Sequence, residues 1–321
     1  MDSIIEEFKK RTTLSVNEDE PLKNHTSIRI GGEADYFVVV KNINQLMDAV
    51  RTCMELKIPY FVLGGGSNIV VSDKGFRGLV IKNESGEMTI EGTELVVDSG
   101  IMVPVLIRKM AELDLGGLEF LSGIPGTLGG AVVNNAGAFG DSIGNHIKSV
   151  IVLDPQGEVR VMLNEYLGFE YRNSIFKKEK DFNLKGVILR VRLITRKGMR
   201  EEIIRKIENY LRLRKKQPKG YSCGSYFKNP KVSGKKIEKD WEGVIKEGRA
   251  PAGYLLERVG AKEIREGGAC VSKEHANWII NPKGRAKATE IKNIANNLKK
   301  KISDKYGIEL EEEIEYIGFD K

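Results

Sequence analysis

The sequence predicts an α+β chain in three parts, and three observations carry this. Residues 1–82 alternate strand-like and helix-like stretches, as a small α/β lobe does. Residues 83–197 change to short strands with one amphipathic helix and one long glycine-rich loop. From 198 to 321 a long helix opens a strand-rich region that closes on a final helix and strand. With 321 residues, 40% hydrophobic and 30% charged, the chain can bury a large core and is too long for one typical domain.

In the first part, residues 2–10 read as a helix, and PLKNHTSIRIGG (21–32) reads as a loop that ends in a glycine pair. His25 within it reads as a structural, hydrogen-bonding histidine. Ala34–Val40 has strand character. Leu46, Val50, Cys53 and Met54 then recur at helical spacing after Asn44, a candidate cap, which makes Cys53 a small buried apolar residue. Strand-like Pro59–Leu63 leads into GGGSN, followed by strand-like Ile69–Val71 and Leu79–Lys82.

The second part offers short strands at 88–90, 94–98, 149–153, 158–162 and 187–194, a helix over Val103–Leu113, and the loop 122–140. The third offers helices over Met199–Lys216, Ala250–Val259 and 287–305, the last with Ile291, Ile294, Leu298 and Ile302 on one face. Glu309–Ile317 reads as the closing strand. Alternation there puts Leu310, Ile314 and Tyr316 on one face, with Glu311, Glu313 and Glu315 on the other. No internal repeat or low-complexity segment is present.

Composition narrows the function classes. The N-terminus carries acids where a signal peptide needs an apolar core, and no apolar run approaches membrane-spanning length, so a cytoplasmic protein is expected. Cys53, Cys223 and Cys270 are odd in number and far apart, which argues against a disulfide framework; no metal site is expected. The net charge of +7 favours anionic ligands. The densest basic cluster, Arg212, Arg214, Lys215, Lys216 and Lys219, sits where a helix ends. It suits either the helix dipole or a phosphate-attracting rim, and no nucleic-acid-binding wording accompanies it.

Two loops concentrate glycine. SGIPGTLGGAVVNNAGAFG (122–140) holds six glycines and almost nothing bulky or charged. Such density makes sense where the backbone must reach positive φ or approach another surface with no side chain between. GGGSN, at Gly64, Gly65, Gly66, Ser67 and Asn68, can present successive N–H groups and short side-chain donors to phosphate oxygens. Neither loop has the spacing of a Rossmann fingerprint or a Walker loop. The pair GGGSNIVVSDKGFRGLVI (64–81) and 122–140 resembles the FAD-binding domain of the vanillyl-alcohol-oxidase and p-cresol-methylhydroxylase (PCMH) type. Within that superfamily the wording is similar to the UDP-N-acetylenolpyruvoylglucosamine reductase family of peptidoglycan precursor synthesis.

The resemblance implies a two-lobed, PCMH-type FAD-binding domain (lobes 1–82 and 83–197) and a C-terminal α/β substrate-binding domain (198–321). It implies noncovalent FAD, held by Gly64–Asn68 and by Ser122, Gly123, Pro125, Gly126, Gly129, Gly130, Asn134, Asn135 and Gly137. NADPH is the implied reductant and a UDP-sugar nucleotide the substrate, with no nucleic acid, membrane or obligate protein partner. Tyr171–Phe182 runs almost directly into the strand at 187, which leaves no room for the extra subdomain of longer members and points to the shorter, second type.

Three residues match the family's catalytic positions. Arg172 stands in Tyr-Arg-Asn-Ser; on its own residues it suits either a bidentate carboxylate contact or a pair with Glu170, and the family places its catalytic arginine there. Ser225 stands in GSYFKNP, which alone reads equally as a turn; the family's proton-donating serine falls on it, with Lys228 and Asn229 as candidate substrate contacts. Glu313 aligns with the family's catalytic glutamate, although Glu315 stands where the family has arginine and Glu263 where it has glycine. Two rival readings are a PCMH-type oxidase of a small alcohol and a non-catalytic flavin or uridine-nucleotide sensor. No flavin-linking His or Cys signal supports the first, and a sensor would be expected to lose one of the three residues.

Overall fold

The computed structural model describes residues 2–92, 94–178, 186–215, 217–232, 241 and 243–319. The chain groups into two compact units. One comprises Met1–Glu20, Ala34–Gly65 and Arg77–Lys216; the other comprises Pro21–Glu33, Gly66–Phe76 and Gln217–Lys321.

The two larger sheets of the first unit each have their own apolar core. In the four-stranded sheet the order is Asn17–Pro21, Glu33–Val40, Phe76–Asn83, Tyr60–Leu63, and the last two run parallel with Leu63 opposite Lys82. Helices Asp2–Thr12 and Ile43–Glu55 belong to this region, and Ile5, Phe8, Leu46, Val50 and Cys53 pack with Val38, Val40, Leu79 and Ile81. The cap of the second helix is Asn42 rather than Asn44: its Oδ1 accepts from the Gln45 N–H at 2.9 Å, which lets Ile43 start the helix buried.

Cys53 is fully buried, and desolvation pushes its thiol up to about 12. Cys223 is buried too, with its thiol bonded to the Ile69 carbonyl, and burial raises it as well. A thiol reagent at pH 8 should therefore label at most Cys270 in the native protein, and all three cysteines after unfolding. Because unfolding frees the Cys53 thiol to ionise near its ordinary value, its contribution to stability declines as pH rises above about 9. Thiol counting with and without denaturant checks the first point, and a second thiol that reacts under native conditions refutes it.

The five-stranded sheet is antiparallel throughout, in the order Val159–Leu163, Ile147–Leu153, Val187–Ile194, Glu94–Asp98, Met88–Glu91. Helix Val103–Glu112 buries Val103, Leu106, Ile107 and Met110 in the associated core. Residues 122–140 are not one continuous loop. Leu128–Val133 is a short helix capped by Thr127, and Gly137–Ala138 pairs with Asp141–Ser142 as a hairpin. Burial of Leu128, Ala131 and Val132 outweighs the low helix propensity of Gly129 and Gly130. Helix Arg200–Arg214 follows; Lys216, and the 179–185 stretch on which the short-type expectation partly rests, lie outside the described residues.

The second unit packs helix Ala288–Tyr306 by Ile291, Ile294, Ala295, Leu298 and Ile302. Its antiparallel sheet has the order Tyr221–Ser222, Ile279–Asn281, Ala269–Val271, Arg265–Glu266. The helix expected over Ala250–Val259 is Ala252–Glu257. The closing strand is shorter than Glu309–Ile317: regular pairing covers only Glu315–Ile317, parallel to Ile69–Val71. The backbone before it is engaged elsewhere, by residues 226–228. Leu310 and Ile314 are buried as the alternation requires, while Glu312, in register with them, pairs with Lys299 at 3.1 Å. Among the described residues no helix is long and apolar enough to cross a membrane.

Candidate active site

Two glycine segments meet within the first unit. A Cβ on Gly65 would stand 2.5 Å from the Gly126 Cα, and one on Gly64 would overlap the Thr127 hydroxyl. Neither position has positive φ, so glycine is required there by the approach of the two loops and not by backbone twist. Gly123 and Gly126, at φ +79° and +108°, need glycine for the twist itself. Gly129 lies against Ser99, where a Cβ would come 3.1 Å from its Cβ and carbonyl oxygen.

The asparagines brace this segment. Asn134 donates to the Gly130 carbonyl at 3.0 Å and accepts from Lys177 at 2.7 Å. Asn135, 5% exposed, donates to the Glu170 carbonyl at 2.8 Å and accepts from the Gly144 N–H at 3.0 Å. The bracing fixes the 170–173 turn, closed by two reciprocal Glu170–Asn173 backbone bonds of 3.1 Å. That turn carries Arg172 at φ +54°; its Nη2 donates to the Gly137 carbonyl at 2.7 Å and its guanidinium lies 5.2 Å from the Tyr171 ring centroid. Asn135 (+41°) and Phe139 (+56°) share the left-handed backbone. Such strain costs on the order of 1–3 kcal/mol per residue and persists where packing enforces it, commonly at functional sites.

One member of the basic cluster belongs to this neighbourhood, a placement that neither of the cluster's two readings specified. Arg214, in the last turn of its helix, lies against Gly123, where a Cβ would come 2.8 Å from its Cδ, and stands 5.3 Å from the Phe139 ring. Burial, with the like charge of Arg172, lowers its pKa. Its Nε and the Ser122 hydroxyl are both buried without a hydrogen-bond partner among the described residues. The rest of the basic cluster behaves as a helix end does: Arg212 bonds Asn209, and Lys215 and Lys219 are exposed. Only the glycine at 123 hinted that a long side chain could lie there.

In the second unit Ser225 and Glu313 stand on neighbouring segments. Phe227 bridges Glu312 antiparallel, the Glu313 N–H donates to the Tyr226 carbonyl at 2.8 Å, and the Lys228 N–H to the Glu311 carbonyl at 2.9 Å. The Asn68 side chain donates to the Glu313 carbonyl at 3.0 Å while its own carbonyl accepts from the Glu315 N–H at 3.0 Å. The third glycine, Gly66, takes φ +61° against the His25 carbonyl. Tyr226 is fully buried and shares a 2.7 Å hydroxyl contact with Tyr316; burial raises the pKa of both, so both remain neutral. Ser225 is half-buried, and its hydroxyl makes no hydrogen bond among the described residues. The Lys228 ammonium reaches Glu311 at 3.1 Å, and Asn229 Oδ1 accepts from the Ala252 N–H at 2.9 Å.

Comparison with known proteins gives this geometry a family. Residues 34–162 match the FAD binding domain model, and 216–317 match the C-terminal domain of UDP-N-acetylenolpyruvoylglucosamine reductase. The protein of that name from Caldanaerobacter subterraneus subsp. tengcongensis is 37% identical over 317 residues, 98% of this chain and 97% of its own length. The chain belongs to the UDP-N-acetylenolpyruvoylglucosamine reductase family. The Bacillus subtilis member is 34% identical over 99% of each chain. The crystal structure of the Thermus caldophilus member superposes with a TM-score of 0.74 at 31% identity, covering 95% of this chain and 98% of that one.

The residues present fit the flavin that the family uses. Buried donors left without partners among the described residues at Ser122 and Arg214 call for an external acceptor. Because Gly65 already touches Gly126, Gly65→Val should break the loop contact and cost several kcal/mol, as overpacking against backbone does. The expected product is protein with a lowered melting temperature and little bound flavin, measured by calorimetry and by absorbance near the flavin band. Full flavin occupancy in Gly65→Val would show that the two loops can separate without harm.

Proposed function

We propose that the chain reduces UDP-N-acetylglucosamine enolpyruvate to UDP-N-acetylmuramate with NADPH as reductant, in cytoplasmic peptidoglycan precursor synthesis. Full-length membership in the family is the observation that carries this reading. FAD, which Gly64–Asn68 and the 122–137 segment would hold, would supply the hydride chemistry that links NADPH to the β-carbon of the enolpyruvyl group. Residues 1–197 form its two lobes, and 198–321 bind the sugar nucleotide.

The chain's own residues supply the rest. Adding hydride to the β-carbon builds negative charge on the α-carbon and its carboxylate, and preorganised donors at that charge lower the barrier. Arg172 offers the carboxylate a planar fork whose orientation is set by its Gly137 bond. Ser225 gives its hydroxyl proton to the α-carbon; the absence of a competing hydrogen bond among the described residues leaves that proton available. A serine hydroxyl is a weak acid in water, but a dienolate-like carbon is basic enough to take its proton. Glu313, with its backbone held by Tyr226 and Asn68, helps order the reacting end. Lys228 and Asn229 contact the substrate, and no nucleic acid, membrane or obligate protein partner is required.

The test is direct. Purified protein is expected to be yellow, to bleach with NADPH in the absence of oxygen, and to recover its colour on addition of the enolpyruvyl sugar nucleotide. Colourless protein, or recovery only with oxygen, overturns the reading; oxygen consumption with a small alcohol would favour the oxidase instead.

A further inference from the structure

Lys82 stands opposite Leu63 near the end of the strand Phe76–Asn83, in the parallel pair whose chain continues into Gly64–Asn68. Its ammonium donates to the Gly64 carbonyl at 2.5 Å, and no carboxylate lies within ion-pairing distance among the described residues. The side chain is half-buried; burial lowers its pKa, and Glu84, itself paired with Lys41, pulls only weakly the other way. In a planar trans peptide the C=O and N–H point to opposite sides. Pinning the Gly64 carbonyl therefore aims the Gly65 N–H away from Lys82. Packing against Thr127 and Gly126 holds the two glycines close to the other loop, and the Lys82 bond adds a fixed direction for the peptide between them.

We infer that Lys82 is a positioning residue for the pyrophosphate of a dinucleotide flavin: it locks the Gly64–Gly65 peptide with its N–H presented to the anion. The inference rests on the flavin reading above. It separates the phosphates from the rest of the cofactor, because riboflavin carries the same ring system and no phosphate.

The full-length protein, freed of flavin, is titrated with FAD and with riboflavin by quenching of flavin fluorescence. Lys82→Met should weaken FAD at least tenfold and leave riboflavin within twofold of the wild type, and Lys82→Arg should restore most of the FAD affinity. Lys82→Gln, which keeps a donor without charge, should fall between them, and it takes the place of Lys82→Met if that variant does not fold. An equal loss for both flavins, or FAD affinity unchanged in Lys82→Met and Lys82→Gln, overturns the inference. Wild-type protein that takes up no FAD overturns the flavin reading and this inference together, an outcome distinct from the other two.

Discussion

In Arg172→Lys, turnover falls by about a hundredfold or more although the charge is kept. Three features of the arginine are lost at once. Its planar fork lets Nη2 hold the Gly137 carbonyl at 2.7 Å and so fixes the plane that the proposed mechanism offers to the substrate carboxylate; an ammonium that holds Gly137 has no fixed plane to offer. Its flat face lies over Tyr171, a contact that a tetrahedral ammonium reproduces poorly. Its left-handed backbone aims the side chain from a turn with little freedom to adjust. Loss of one such transition-state contact costs roughly 3 kcal/mol. Steady-state kinetics with the enolpyruvyl sugar nucleotide decide the matter: kcat should drop while flavin content and melting temperature hold. Turnover at the wild-type level would make Arg172 a brace for the Gly137 hairpin and nothing more.

The sequence made much of this legible, for reasons specific to each residue. The two glycine loops stand out because six glycines in nineteen residues have few structural uses, and the structure supplies one that the sequence could not: Gly65 faces Gly126. The helix Leu128–Val133 was hidden by its own glycines, since local propensity argues against it and only burial of Leu128 and Val132 establishes it. The shortened closing strand was hidden for the opposite reason. The alternation accounts for the burial of Leu310 and Ile314, while Glu312 and Tyr316 are half-buried; ladder pairing depends on residues 226–228, some eighty positions earlier. Arg214 was read as one of a basic cluster that suits either the helix dipole or a phosphate-attracting rim, and its placement against Gly123 is a tertiary fact that neither reading specified. Asn134 and Asn135 were expected as cofactor ligands on the strength of their loop; each amide also bonds within the chain, Asn134 to Gly130 and Lys177, and Asn135 to Gly144 and to Glu170 in the turn that carries Arg172.

Ser225→Ala should separate the two halves of the reaction. Its hydroxyl is the one group in the proposed mechanism required only when the α-carbon takes a proton, and it has no structural hydrogen bond among the described residues to lose. The variant is therefore expected to fold, to retain its flavin and to bleach with NADPH at the wild-type rate under anaerobic conditions. Recovery of absorbance on addition of the enolpyruvyl sugar nucleotide should slow by several orders of magnitude, because the carbanion-like centre is left without a positioned acid. Ser225→Cys should regain part of the loss, since a thiol also donates a proton and is the stronger acid. Rapid mixing that follows flavin absorbance through each half-reaction gives both rates in one preparation. If Ser225→Ala slows bleaching by NADPH as much as recovery, the serine shapes a region both ligands use, and the proton must come from elsewhere.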